Sequence, residues 1–410
     1  MFRLPLLFMM TGMASFILFH LLSLFSVGEW AVGSPRSPDG WFRLHLLVLD
    51  WATMIAMGAV YQLVDVVLQR RIHSERLGYL HYGCLTAGSA VLLAGFLRMD
   101  TLWIAAGASG ALAGILLFAW NVGRTLLAAR QWNPVTVSTA CAVGYLALTG
   151  VLGMMMGLNF AWNWWGAVHE RLLHAHIWLG ITGWFGLLIT GFSYKMLPMF
   201  YLSHGFSEKT PRRVMRLWNA GVLYGAILFL LGVKPVYSIP AVLLLLAALI
   251  LYSRHMSDIR GHKHKKGPGQ GIQWTVLVTR ALILYLIALL CVWVFFPDEA
   301  WSLTVTLLSG WMVLWGWVAM TILGYLSKII PFLWWTHKYG PHAGRPNVPL
   351  MSDLISERHV GWGLGGIAAG LLVTMTGTGL QEGLVTAAGV SLLSLCSLGY
   401  MGLIVRVFAK

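Results

Sequence analysis

WATMIAMGAVYQLVDV (51–66), WFGLLITGFSYKMLPM (184–199) and WVAMTILGYLSKIIPF (317–332) stand 133 residues apart, and the fold is read outward from them. Trp51, Trp184 and Trp317 align without a gap, as do Gly58, Gly191 and Gly324. Lys195 aligns with Lys328 and Pro198 with Pro331, while the first copy has Gln62 and Asp65 in that region. Each stretch lies in an apolar run long enough to cross a bilayer. In hydrocarbon such a run must satisfy its own backbone groups, which makes it a helix. A spanning helix with its loop takes roughly 33 residues, so a period of 133 holds four spans. An even number of spans makes the copies parallel rather than inverted. The expected fold is an all-α polytopic membrane protein of about twelve transmembrane helices, with repeats near 1–135, 136–268 and 269–410.

Composition agrees. Of 410 residues, 58% are hydrophobic and only 10% charged, too little charge to cover a soluble core of this size. Spans are expected near 5–27, 42–69, 78–97, 102–123, 134–157, 172–203, 217–233, 236–253, 273–296, 301–335, 359–378 and 383–405. The first is read as a retained helix, since its apolar run is too long for a signal peptide. The net charge of +14 is distributed by loop, which argues against nucleic acid as the partner and for the lipid bilayer. Alternate loops, beginning with Arg70-Arg71, hold 17 Lys and Arg, and the opposite set holds 4. That bias sets the basic loops and both termini on the cytoplasmic side of a cell membrane, of the bacterial plasma-membrane type. The most basic loop, SRHMSDIRGHKHKKGPGQG (253–271), reads as a topogenic segment touching anionic lipid, with a metal-binding tract as its alternative. Cys84, Cys141, Cys291 and Cys396 lie inside apolar segments without CxxC spacing and read as small buried hydrophobes.

Histidine inside a membrane is costly and marks a functional hypothesis. His45 falls near the outer end of the second span, His174 and His176 near the outer end of the sixth, and His20 in the outer half of the first. At roughly 1.5 Å per residue these four share one depth. His169 sits just above them, and His81 near the inner end of the third span. Residues two apart on a helix are rotated by about 200°, so His174 and His176 face opposite ways and serve different partners. A zinc site on one helix wants a spacing of four, whereas an axial haem ligand needs a single histidine per helix. The competing reading is of interfacial histidines bonded to backbone or water. Face counting from Trp178, the repeat equivalent of His45, favours His174 over His176 as the partner of His45. Met154-Met155-Met156 offers thioethers to copper or haem, or simply packs. Trp162, Trp164 and Trp165 read as an interfacial aromatic belt. Lys195 and Lys328 are placed to snorkel inward, with Asp65 a possible ion-pair partner and Asp50 a proton-relay candidate.

Three four-helix units with histidines near the outer ends of equivalent helices resemble haem-copper oxidase subunit I. FRLHLLVLDWATMIAMGAVYQLV (42–64) looks like the second helix of C-type oxidases and nitric oxide reductases, where a histidine following a basic residue holds the low-spin haem; Arg43 and His45 fit. HAHIWLGITGWFGLLITGFSYKMLPMF (174–200) resembles that family's His-x-His helix, whose two histidines hold two haems on opposite faces. In the oxidases that motif lies on the tenth helix; here the aligned tenth-helix positions are Leu307 and Ser309. The seventh helix, LWNAGVLYGAILFLLG (217–232), lacks the His-His pair that holds copper. The short chain and partial ligand set are similar to the NnrS family, haem- and copper-containing membrane proteins linked to nitric oxide tolerance. The resemblance implies b-type haem on His45 with His174 or His176; His20, by its depth, is a further cofactor-binding candidate. Copper remains a second possibility at the same histidines. Covalent c-type attachment is excluded by the absence of CxxCH. The implied roles are electron transfer, nitric oxide handling or respiratory-complex assembly, with an electron donor or respiratory subunits as partners. The fold resembles an oxidoreductase, but the binuclear ligand set is incomplete, so little oxygen reductase activity is expected. The alternative is a transporter or channel without a redox cofactor, its route lined by Asp50, Asp65 and the two lysines.

Overall fold

The computed structural model describes residues 2–68, 71–264 and 267–410. Arg70 of the first basic loop and Lys265 and Lys266 of the histidine-rich loop lie outside the described residues, as does the side chain of Asp65 with its expected ion pair. Among the described residues twelve helices are long and apolar enough to cross a membrane, and no strand occurs. They are α1 (Arg3–Phe25), α2 (Pro38–Val64), α3 (Glu75–Arg98), α4 (Thr101–Ala129), α5 (Pro134–Trp162) and α6 (Gly166–Tyr201). The series continues with α7 (Lys209–Leu231), α8 (Pro235–Gly261), α9 (Gln270–Phe295), α10 (Leu303–Lys338), α11 (Glu357–Leu380) and α12 (Gly383–Ala409). The expected spans match these within a few residues at most ends; α7 starts eight residues earlier and α8 ends eight later, each running out through a basic loop.

Contacts gather the chain into two compact units, one of residues 3–9 with 35–263 and one of residues 10–34 with 264–410. In the first unit α3 and α4 run as a tight hairpin because Gly88, Gly95, Gly107 and Gly114 let the two backbones touch; a Cβ on Gly107 would come within 2.2 Å of the Leu92 nitrogen. Small residues are the usual device for close approach where lipid removes the hydrophobic drive between helices. In the second unit α11 and α12 use Gly370, Gly377 and Gly389 in the same way. Asp100 opens α4 by accepting from the Leu102 and Trp103 amides, and Asn133 opens α5 with a capping box to Thr136.

Three departures from α geometry matter for function. α2, α6 and α10 each contain a π-helical stretch, at Leu46–Thr53, Leu179–Phe185 and Trp311–Ala319. These are the helices that carry the aligned segments, and the first residues of the three stretches are 133 and 132 positions apart. Trp51, Trp184 and Trp317, inside those stretches, are all buried. The aligned glycines repeat a contact as well. A Cβ on Gly58 would meet the Pro5 carbonyl of α1, one on Gly191 would meet Ser138 of α5, and one on Gly324 would meet the Gly271 carbonyl of α9. Positions 5, 138 and 271 are themselves spaced by 133.

Candidate functional site

The sequence-predicted histidines separate into a pair and two singletons. His45 stands at the start of the π stretch of α2 and His176 one turn before that of α6, both in the first unit. Their ring centres are 6.4 Å apart with 32° between the ring planes. His45 Nδ1 donates to the Trp41 carbonyl one turn back on its own helix, at 2.8 Å. His176 Nδ1 donates to the Thr149 carbonyl of α5, at 2.9 Å. A carbonyl can only accept, so each Nδ1 carries a proton, and in the neutral ring the lone pair is then on Nε2. Both rings are half-buried and retain accessible surface.

Aromatic side chains wall the pair. Phe96 of α3 packs on His45 at 5.0 Å, and Trp41 lies 5.9 Å from Phe96 and 5.0 Å from Phe160 of α5. Phe160 in turn meets His169 at 5.2 Å. His169 Nδ1 bonds the Asn159 amide at 3.0 Å, and Asn159 Oδ1 accepts from the Trp165 nitrogen, which holds the α5–α6 turn over this end. Gly153 of α5 leaves room for the His176 ring; a Cβ there would come within 3.1 Å of Cε1.

His174 is exposed and turns to the other side of α6, against Phe229 of α7 at 5.9 Å. The two-residue spacing thus gives the opposed directions expected of it. The expectation that His174 meets His45 is corrected: His176 does. His174 does share a face with Trp178, which packs on the same Phe229 at 5.6 Å and donates Nε1–H to the Val222 carbonyl. That face addresses α7, however. Equivalent positions contact the equivalent neighbour in their own repeat: His45 meets Phe96, and Trp178, 133 residues on, meets Phe229, also 133 residues on.

His20 belongs to the second unit, fully buried, with Nδ1 3.0 Å from Ser394 Oγ and rings of Phe16 and Trp315 at 4.4 and 5.3 Å. Its Nε2 is buried without a partner. Of the methionine run only Met156 is buried. Trp162 and Trp164 are exposed and stacked at 5.2 Å, as suits an interfacial belt. Lys195 is exposed, and Lys328 pairs with Glu357 at the base of the second unit. Asp50 is buried in the π stretch of α2, and its Oδ2 has no hydrogen-bond partner. The four cysteines are free.

Sequence reasoning missed the two carbonyls that orient the pair. Trp41 was legible as the residue one turn before His45; Thr149 was not, since its role depends on how α5 packs on α6. Among the described residues no three His, Cys, Asp or Glu side chains gather where they could hold a metal ion. The chain matches no family model and no curated protein.

Proposed function

We propose that the protein binds b-type haem between His45 and His176 and acts as a one-electron carrier within the membrane. The observation that carries this is the spacing of the pair. Bonds of about 2.0–2.1 Å from one metal to an imidazole nitrogen on each side, with about 1 Å more to each ring centre, would need ring centres about 6 Å apart. The two rings stand at 6.4 Å. The donor set fits too. Each Nδ1–H is anchored on a backbone carbonyl, the outer-shell bond that fixes an imidazole's tautomer and raises the basicity of its Nε2.

Haem held there would supply a ferric–ferrous couple whose potential the protein would tune through the ligating histidines and their burial. The chain's own part is to hold two neutral imidazoles in place and keep water out with Trp41, Phe96 and Phe160. With His45 and His176 both holding the group, the chemistry it would supply there is electron transfer. Kinship with haem-copper oxidase subunit I is part of the same proposal, as is a bacterial-type plasma membrane with an electron donor or respiratory subunit as partner. The pair's shift to α2 and α6, and the lack of copper-holding histidines on α7, set the chain apart from oxygen-reducing members.

A reduced-minus-oxidised spectrum of the purified protein, expressed with ample haem, is expected to show Soret and α bands of b type. His45→Ala and His176→Ala should each abolish them, and His174→Ala should retain them. A protein without either band, or a His176→Ala variant with an unchanged spectrum, overturns the proposal.

A further inference from the structure

At the basic end of the first unit a cleft of about 320 Å³ opens between His73, Arg124, Leu127, Ala128 and Arg130, within the size range of small-ligand sites. Its frame is bonded in place. Ser74 caps α3 and exchanges two hydrogen bonds with the buried Asn121 of α4. The Asn121 amide donates to the Ser74 carbonyl at 2.9 Å, and its oxygen accepts from the Ser74 nitrogen at 3.0 Å. Thr125, one turn on, accepts from the His73 nitrogen at 2.9 Å. These bonds fix the turn between α2 and α3 against the last turns of α4, so His73 and Arg124 line the cleft from two elements held at a set distance. At the end of α4, Arg130 takes the left-handed conformation, with a φ of 53°, and a second arginine lines the same space.

The lining holds two arginines and a histidine and no acid. Among the described residues neither Arg124 nor Arg130 has a carboxylate within ion-pair distance. The C-terminal end of a helix attracts cations, which accounts for an arginine near the last turn of α4. It does not account for two arginines set around an open space with a histidine. Like charges around one gap repel each other, and an anion in the gap relieves both. Arg124 is oriented for one as well. Its guanidinium lies over the exposed ring of Trp120, 5.6 Å from the centroid, which engages its face and leaves its N–H edge for an oxyanion.

Which anion belongs there follows from depth. α4 is long and apolar enough to span the membrane, and the cleft lies at its end, where lipid headgroups begin. Leu116, Trp120 and Leu127 are exposed and, at spacings of four and seven, fall on one side of α4 leading to the cleft. We infer that this cleft holds the phosphate of an anionic phospholipid, with Arg124, Arg130 and His73 around the headgroup and the acyl chains along Leu116 and Trp120. Anionic lipid gives the cytoplasmic leaflet its charge, and the loop bias sets this end of the molecule there. The cleft is a bounded site with a fixed frame, unlike the diffuse attraction of the basic loop 253–271. It stands whether or not haem binds to His45 and His176.

Native mass spectrometry of the full-length protein in neutral detergent tests it, with phosphatidylglycerol, phosphatidylcholine and inorganic phosphate as probes. The first phosphatidylglycerol should bind roughly tenfold or more tightly than the first phosphatidylcholine. The double variant Arg124→Gln/Arg130→Gln should lose that preference. Arg213→Gln/Arg216→Gln, which removes the same charge from the start of α7, should keep it. Leu127→Glu, which puts an acid in the cleft and leaves both arginines, should lose it as well. All five positions are exposed, and a circular dichroism spectrum equal to the native one establishes that each variant is folded. A preference unchanged in Arg124→Gln/Arg130→Gln, or lost equally in the α7 control, overturns the inference. Release of the bound phosphatidylglycerol by inorganic phosphate at equal concentration also overturns it and gives the cleft to a soluble anion.

Discussion

An imidazole that donates Nδ1–H to a carbonyl has already chosen its tautomer, and His45 and His176 have both done so with main-chain acceptors that side-chain substitution leaves in place. What can be disturbed is the space around them. Gly153 faces the His176 ring so closely that a Cβ would sit 3.1 Å from Cε1. The branched side chain of Gly153→Val cannot be accommodated without turning that ring, and overpacking of this kind costs about 1–3 kcal/mol. The expected outcome is loss of the haem bands with a melting temperature only a few degrees lower; a variant with full haem content would show that the ring has another place to go. The histidines themselves were legible in the sequence by depth and spacing. Which of His174 and His176 meets His45 was not. Face counting correctly grouped His174 with Trp178, and then assumed that repeat-equivalent faces look at each other, whereas each looks at the helix beside it.

At the scale of the element the π stretches are what the sequence concealed. Apolar periodicity counted at 3.6 residues per turn has no sign of an extra residue, and Leu46–Thr53 is apolar on nearly every side. A π turn rotates the helix before it relative to the helix after it, so the direction of His45 depends on that inserted residue. Deleting Val48 restores α pitch and turns the segment ahead of it by about 100°. Helix α2 should remain intact by circular dichroism while the haem bands disappear, and retained bands would mean that the π geometry is incidental. The aligned glycines offer a graded test. A Cβ on Gly324 meets the Gly271 carbonyl oxygen at 2.6 Å, and backbone cannot step aside; one on Gly58 meets the Pro5 carbonyl at 3.0 Å. Gly324→Ala should therefore lower thermal stability in detergent more than Gly58→Ala, by about 1–3 kcal/mol against less than that. The reverse order would place the repeat's tightest contact elsewhere.

Across the whole molecule most of the architecture was legible, because lipid leaves a chain few options. Apolar runs of spanning length had to be helices, and the segments found by their 133-residue spacing reappear as the three helices with π stretches and matching glycine contacts. The direction of insertion rests on charge alone. Loops with 17 Lys and Arg alternate with loops holding 4, and a bias that large fixes topology through the cost of moving cations across the membrane. Single-cysteine reporters can read it, since the native cysteines lie within the spans and not in the loops. Ser207, between α6 and α7, and Asp298, between α9 and α10, are both exposed and sit on opposite sets of loops. With a membrane-impermeant thiol reagent added to intact cells, Asp298→Cys should be labelled, and Ser207→Cys should react only after the membrane is opened. That outcome puts the α2–α3 turn at His73 on the cytoplasmic side. The histidine pair then lies towards the outer face, where an electron donor outside the membrane can reach it. Labelling of Ser207→Cys in intact cells would invert the molecule and reverse both assignments.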